Sequence, residues 1–157
     1  MGNLLNCYTC SKEEKSLELA SLENTPEFCV NGMKCNCKVL DIYDGDTITL
    51  AFIFHSNIYK KRCRIEGVDC AEIKSKNKEE KEIANKCKKF LTELVLNKLV
   101  FVEFSSKNDK YGRLLAKIYL LNGESLTDIL INSNFGYAYN GKTKLDFEDW
   151  HNKNFIE

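Results

Sequence analysis

Asp69-Cys70-Ala71-Glu72 places two carboxylates on a short polar turn, between a β-like run, Tyr59 to Ile65, and a long segment of helical periodicity. A run of strands that halts at such a turn and hands over to a helix decides what fold the rest can form. Upstream, Lys38 to Tyr43 reads as a strand, and Asp44-Gly45 is a hairpin-turn signal. Thr47-Ile48-Thr49-Leu50-Ala51-Phe52-Ile53-Phe54 is rich in β-branched and aromatic residues and reads as a second strand. His55-Ser56-Asn57 is a loop. Tyr59 to Ile65 is a third strand, with Tyr59, Lys61, Cys63 and Ile65 on one face and Lys60, Arg62 and Arg64 on the other.

Downstream, Ile73 is the last apolar side chain before a charged surface loop. Ile83, Ala84, Cys87, Phe90, Leu91, Leu94 and Val95 then repeat at helical spacing, which predicts a helix from about Glu79 to Asn97. Lys81, Lys86, Lys88 and Lys89 lie mostly off that stripe and read most simply as a solvated face. Leu99 to Phe104 is a fourth strand. Tyr111-Gly112 turns the chain into a fifth, Leu114 to Leu120. Ser125 is an N-cap for a helix carrying Leu126, Ile129 and Leu130 and ending near Gly136. The order is three strands, helix, two strands, helix. It predicts an α+β, mainly β fold, a five-stranded Greek-key barrel of the OB type with two or three helices. The barrel is expected over 37–141, behind an N-terminal appendage, 1–36, and ahead of a polar C-terminal tail, 142–157, with Phe147, Trp150 and Phe155 as anchors.

The net charge is zero, so there is no global electrostatic case for a nucleic-acid partner, and any such case must rest on a local patch. No apolar run is long enough to span a membrane, and the start lacks the basic-then-apolar pattern of a secretory signal. The expected location is therefore intracellular, either cytoplasmic or peripheral to a membrane. No obligate protein partner is evident.

Met1-Gly2-Asn3-Leu4-Leu5-Asn6 approaches the N-myristoylation pattern, with Asn6 where Ser or Thr is wanted. An ordinary chain start is the simpler reading. If Gly2 were acylated, Cys7 or Cys10 could take a second chain and complete a membrane anchor. Cys7-x-x-Cys10 with Cys29, Cys35 and Cys37 could also assemble a zinc site. The simpler alternative is free thiols, since Cys35-x-Cys37 is not a usual zinc spacing and no His lies nearby.

Asp44 and Asp46 flank the first turn. An EF-hand does not fit: a loop starting at Asp44 puts Ile48 at its fifth position and His55 at its twelfth, where the bidentate Glu belongs. Taken alone, the two Asp residues would only shape a turn, as Asp does well. A site for one metal ion, one phosphate and a water would draw the polar clusters together. A hard cation prefers oxygen ligands, which Asp46 and Asp69 provide. Arg64 and Arg113 suit forked contacts with phosphate, and Glu72 is the carboxylate of its motif left over for water. Singly, Arg64, Arg113 and Glu72 would read as solvated charges, but their joint occurrence at these spacings argues otherwise.

Asp44-Gly45-Asp46-Thr47, Arg64 five residues before Asp69, then Glu72, then Asp109-Lys110-Tyr111-Gly112-Arg113 occur in one order along the chain. In this the sequence from about Lys38 to Tyr139 resembles the staphylococcal nuclease (thermonuclease) family. The resemblance implies a calcium-dependent nuclease cleaving DNA, RNA or both. Asp46 and Asp69 would be carboxylate ligands of calcium, and Cys70 would offer its backbone carbonyl. Arg64 and Arg113 would grip the scissile phosphate, and Glu72 would position or deprotonate the attacking water. Lys110 and Tyr111 would contact a neighbouring phosphate, with Asp44 and Thr47 in support. Cys70-Ala71 replace the family's Thr-Pro, so a looser loop is expected. The C-terminal helix common in the family reads as short or absent here. The rival function is a non-catalytic nucleic-acid-binding barrel.

Overall fold

The computed structural model describes residues 12–25, 30, 32–109 and 111–154. In chain order its elements are α1 (Lys12–Glu18), β1 (Lys34–Ile42), β2 (Thr47–Phe54), β3 (Asn57–Ile65), β4 (Val68–Cys70), α2 (Lys78–Val95), β5 (Leu99–Asn108), β6 (Leu114–Tyr119), α3 (Leu126–Asn132), β7 (Gly136–Ala138) and α4 (Phe147–Asn154).

Five strands close into a barrel in the order β1-β2-β3-β6-β5, with β5 returning to β1. All pairings are antiparallel except β3 with β6, which is parallel and forces the crossover through α2. The barrel is therefore mixed, mainly β and of the OB type foreseen from the element order. β1 begins at Lys34 rather than Lys38, because the chain from Lys34 onward already ladders onto β5, Lys34 against Glu103 and Cys37 against Val100. In β2, Ile48, Leu50 and Phe52 point inward at period two. They meet Val39, Cys63, Ile65, Val100, Val102, Ala116 and Ile118, and Leu91 and Val95 of α2 join the same core. The β2–β3 hairpin turns on His55 and Ser56, both left-handed (φ 44° and 66°), the conformation that a two-residue hairpin turn demands.

α2 starts on Asn77, whose side chain accepts from the amides of Glu79 (2.9 Å) and Glu80 (3.3 Å). Ala84, Cys87, Leu91 and Val95 form its buried stripe. β4 and β7 make a second, two-stranded sheet that carries the Asp69 turn, Asp69 pairing with Tyr137 and Cys70 with Gly136. Gly136 must lack a side chain because a Cβ there would overlap the carbonyl of Asp69.

Among the described residues there are four helices, where two or three were expected. In the tail, the C-terminal helix expected to be short or absent is present and short, the eight residues of α4. Such a short helix has little intrinsic stability. It is held by Trp150, which is buried against Ala71 and Ala84, with Phe147 alongside. Phe155 lies outside the described residues. No described helix is long and apolar enough to cross a membrane.

Candidate active site

Three turns meet at one end of the barrel. The first, between β1 and β2, carries Asp44 to Thr47. It does not use Gly45 for a left-handed turn, as a hairpin reading would suggest, since Gly45 has no positive φ. It needs glycine for room: a Cβ there would lie 2.8 Å from both Cys70 Cβ and Cys87 Sγ. Gly45 is thus the seat on which the Asp69-to-Glu72 turn rests. Cys70 Sγ donates to the Gly45 carbonyl at 3.4 Å. The Cys70 thiol is buried in the core, and its hydrogen bond with Cys87 and its desolvation push it well above the usual thiol range. Only the backbone of Cys70 is left for other roles.

Asp46 is almost fully buried. Its Oδ2 pairs with Arg64 Nη1 at 2.5 Å, and its Oδ1 accepts from Thr47 Oγ1 at 2.8 Å. Burial lifts its carboxyl to about 6, against the pull of the Arg64 guanidinium. Arg64 also donates through Nη2 to Asp69 Oδ1 and, at 3.4 Å, to the carbonyl of Val68. Burial opposes the charge on Arg64, but Asp46 and Asp69 outweigh it and hold the guanidinium above its ordinary range.

The turn 109–113 delivers Arg113. Asp109 builds that turn by accepting from the amides of Tyr111 and Arg113, both at 2.9 Å, and from Arg113 Nε at 2.6 Å. Arg113 Nη1 then donates to Thr47 Oγ1 at 2.7 Å and lies 4.0 Å from Asp46 Oδ1. Two guanidinium groups from separate motifs therefore flank one buried carboxylate.

Sequence reasoning missed Lys144 and Tyr137. Lys144 Nζ bridges Asp69 Oδ1 at 3.0 Å and Glu72 Oε1 at 2.9 Å. Tyr137 OH donates to Asp69 Oδ2 at 3.1 Å and accepts from the amide of Leu145 at 2.8 Å, which pins the segment bearing Lys144. Burial pushes the Tyr137 hydroxyl up to about 12. Lys144 sits in a polar tail with no periodicity, so the sequence carried no signal for it. Tyr137 and Tyr139 alternate at strand period, which a strand reading of 136–138 would have exposed.

Asp44, Asp46, Thr47, Arg64, Cys70, Glu72, Tyr111 and Arg113 all line one open cleft of about 1380 Å³. Asp69 lies beneath it, bound to Arg64. Lys110, Gly2, Cys7 and Cys10, like Cys29, lie outside the described residues. Of the remaining thiols named for zinc, Cys35 and Cys37 sit in the barrel wall with their Sγ atoms 3.6 Å apart, and Cys37 is buried. Lys88 departs from the solvated-face expectation: it is half-buried, lines the cleft and donates to the Tyr43 carbonyl at 3.2 Å.

The donor chemistry can be tested against a hard cation. Asp46 and Asp69 are both paired with Arg64, and Asp69 with Lys144 as well. Among the described residues no group of three or more His, Cys, Asp or Glu side chains gathers at metal-binding distance. A cation would rest on these two aspartates, backbone carbonyl and water, all oxygen donors, in place of those ion pairs. That set fits calcium and does not fit a soft ion.

The family described as staphylococcal nuclease homologue matches residues 62–154, a range that holds Arg64, Asp69, Glu72 and Arg113 and begins after Asp46. An uncharacterized protein of Methanocaldococcus jannaschii is 33% identical over 125 residues, which cover 64% of this chain and 56% of that relative's length.

Proposed function

The chain belongs to the staphylococcal nuclease homologue family, and on that premise we propose that it hydrolyses phosphodiester bonds of DNA, RNA or both with the help of calcium. One observation carries the reading: Arg64 and Arg113 flank the buried Asp46 at the floor of an open cleft whose wall carries Glu72. Forked guanidinium donors match the non-bridging oxygens of a phosphate. Held in place by Asp109, Thr47 and the two aspartates, they meet charge developing in the transition state without reorganising.

Asp46, Asp69 and the Cys70 carbonyl would hold the ion. Bound calcium would supply Lewis-acid neutralisation of the phosphate. Glu72 takes the proton of a water oxygen as that oxygen attacks phosphorus. The opposite P–O bond breaks, and the charge on the departing oxygen is held by the guanidinium pair. Lys144 fixes the Glu72 carboxylate at the cleft edge before substrate arrives.

The test is cleavage of labelled DNA and RNA with calcium and with excess chelator, on the wild type and on Glu72→Gln. Cleavage in calcium alone, reduced at least a hundredfold by Glu72→Gln, is expected. Wild-type rates in Glu72→Gln, or cleavage that persists in chelator, would overturn the mechanism. The engagement of Glu72 by Lys144 and of both aspartates by Arg64 favours a second reading, a binding barrel without catalysis. It predicts nucleic-acid binding with no cleavage in calcium.

A further inference from the structure

The chain contains three arginines, Arg62, Arg64 and Arg113, among its 23 basic residues, and all three line the same cleft. Each lies over a tyrosine ring of the cleft wall. Arg62 is 4.5 Å from the centroid of Tyr43, Arg113 is 5.5 Å from that of Tyr111, and Arg64 is 5.9 Å from that of Tyr139. Two of these pairs belong to the site described above. The third, Arg62 on Tyr43, has no role in it.

Arg62 also differs in its charge balance. Arg64 is neutralised by Asp46 and Asp69, and Arg113 by Asp109, but among the described residues no carboxylate pairs with Arg62. Lys88 adds a second cation at the same rim, where its ammonium donates to the Tyr43 carbonyl. Arg62 and Arg64 stand two residues apart on one face of β3, separated along the strand by about 6.6 Å. That is the order of the step between successive phosphates of a stretched nucleic-acid strand. A guanidinium laid on a tyrosine offers a flat stacking plane with a charge beside it, the combination that takes up an unpaired base and its phosphate. Duplex bases have both faces covered by their neighbours and cannot use it.

We infer that Tyr43, Arg62 and Lys88 form a nucleotide subsite next to the scissile position, one that takes up an unpaired base and its phosphate. Its location rests on the nuclease reading of the cleft, but its binding does not require cleavage, so the two can fail separately. The experiment measures fluorescence anisotropy of a short labelled oligothymidylate, alone and annealed to its complement, in excess chelator. Wild type should bind the single strand more tightly than the duplex. Arg62→Ala should weaken single-strand binding about tenfold and lower the salt slope by about 0.7, the value of one lost phosphate contact. Tyr43→Ala should weaken binding with the slope unchanged, and Tyr43→Phe should bind as wild type. Arg62 and Tyr43 are exposed at the rim, and thermal melts verify that the variants fold. Wild-type affinity and slope in Arg62→Ala, or tighter binding of the duplex, would overturn the inference. Weakened binding by Arg62→Ala in a protein that never cleaves would remove the nuclease reading and leave the subsite standing.

Discussion

The ammonium of Lys144 lies within 3.0 Å of Asp69 and 2.9 Å of Glu72, the place in the cleft where positive charge is most wanted. Burial opposes the charge on Lys144, but Glu72 and Asp69 raise its affinity for the proton, so the side chain stays cationic throughout the useful pH range. On the calcium reading it competes with the ion for Asp69. Lys144→Met keeps the apolar stem and removes the competing charge, and calcium affinity measured by titration calorimetry should rise about tenfold. Equal or weaker binding would show that Lys144 supports the site rather than opposing the ion. Asp109 gives the pH dependence. Burial pushes its carboxyl up, but the hydrogen bonds from Arg113 and Tyr111 prevail and hold it below 3.8. A depressed carboxylate stabilises the fold above its unfolded value, and that stability is lost as pH falls toward the folded one. Asp109→Asn should therefore flatten the loss of stability below about pH 4, read as the urea midpoint against pH. An unchanged acid slope would count against the role of Asp109 in holding the turn.

At the scale of elements, the question is what stiffens a turn that lacks its proline. Ala71 occupies that position and is buried beneath Trp150, with Ala84 of α2 completing the cluster. The amide of Glu72 is tied to Glu80 Oε1 of α2 at 3.0 Å. The expected looseness is thus met from outside, by α4 above and α2 behind. Trp150→Ala should destabilise the protein by about 3 kcal/mol, seen as a lowered urea midpoint, and amide exchange should accelerate first at Cys70 and Ala71. Loss of stability without faster exchange there would mean that α4 braces the barrel but not the turn. This brace was not legible in the sequence, for a physical reason. β1, β2, β3, β5, β6 and α2 advertise themselves because each buries a stripe at its own period. α4 has two anchors three residues apart, and nothing local says what they cover. β7 was hidden similarly, as three residues whose strand character comes from pairing with β4.

Across the whole molecule, the barrel was readable from strand order, and the motif residues were readable because they sit where one element ends and the next begins. Geometry between motifs was not, since Lys144, Arg62 and Lys88 acquire their roles only when the barrel closes around them. The cysteines report on that closure. Cys37, Cys63, Cys70 and Cys87 are free and buried, spread over β1, β3, β4 and α2. Burial pushes the Cys63 thiol up to about 12 and raises Cys37 further, and Cys70 is raised by Cys87 and by burial. Attack on an alkylating reagent requires thiolate and access, and burial denies all four the access. Iodoacetamide at mildly alkaline pH should leave them unmodified in the folded protein and modify them together in guanidinium, as peptide mass mapping would show. Because they lie on different elements of one core, no local fraying exposes all four. If alkylation is run at increasing denaturant, their rates should converge on a single opening free energy. Early modification of one of them would mark its element as opening independently, and Cys70 is the one to watch, since its release would dissolve the seat of the Asp69 turn while the barrel still stood.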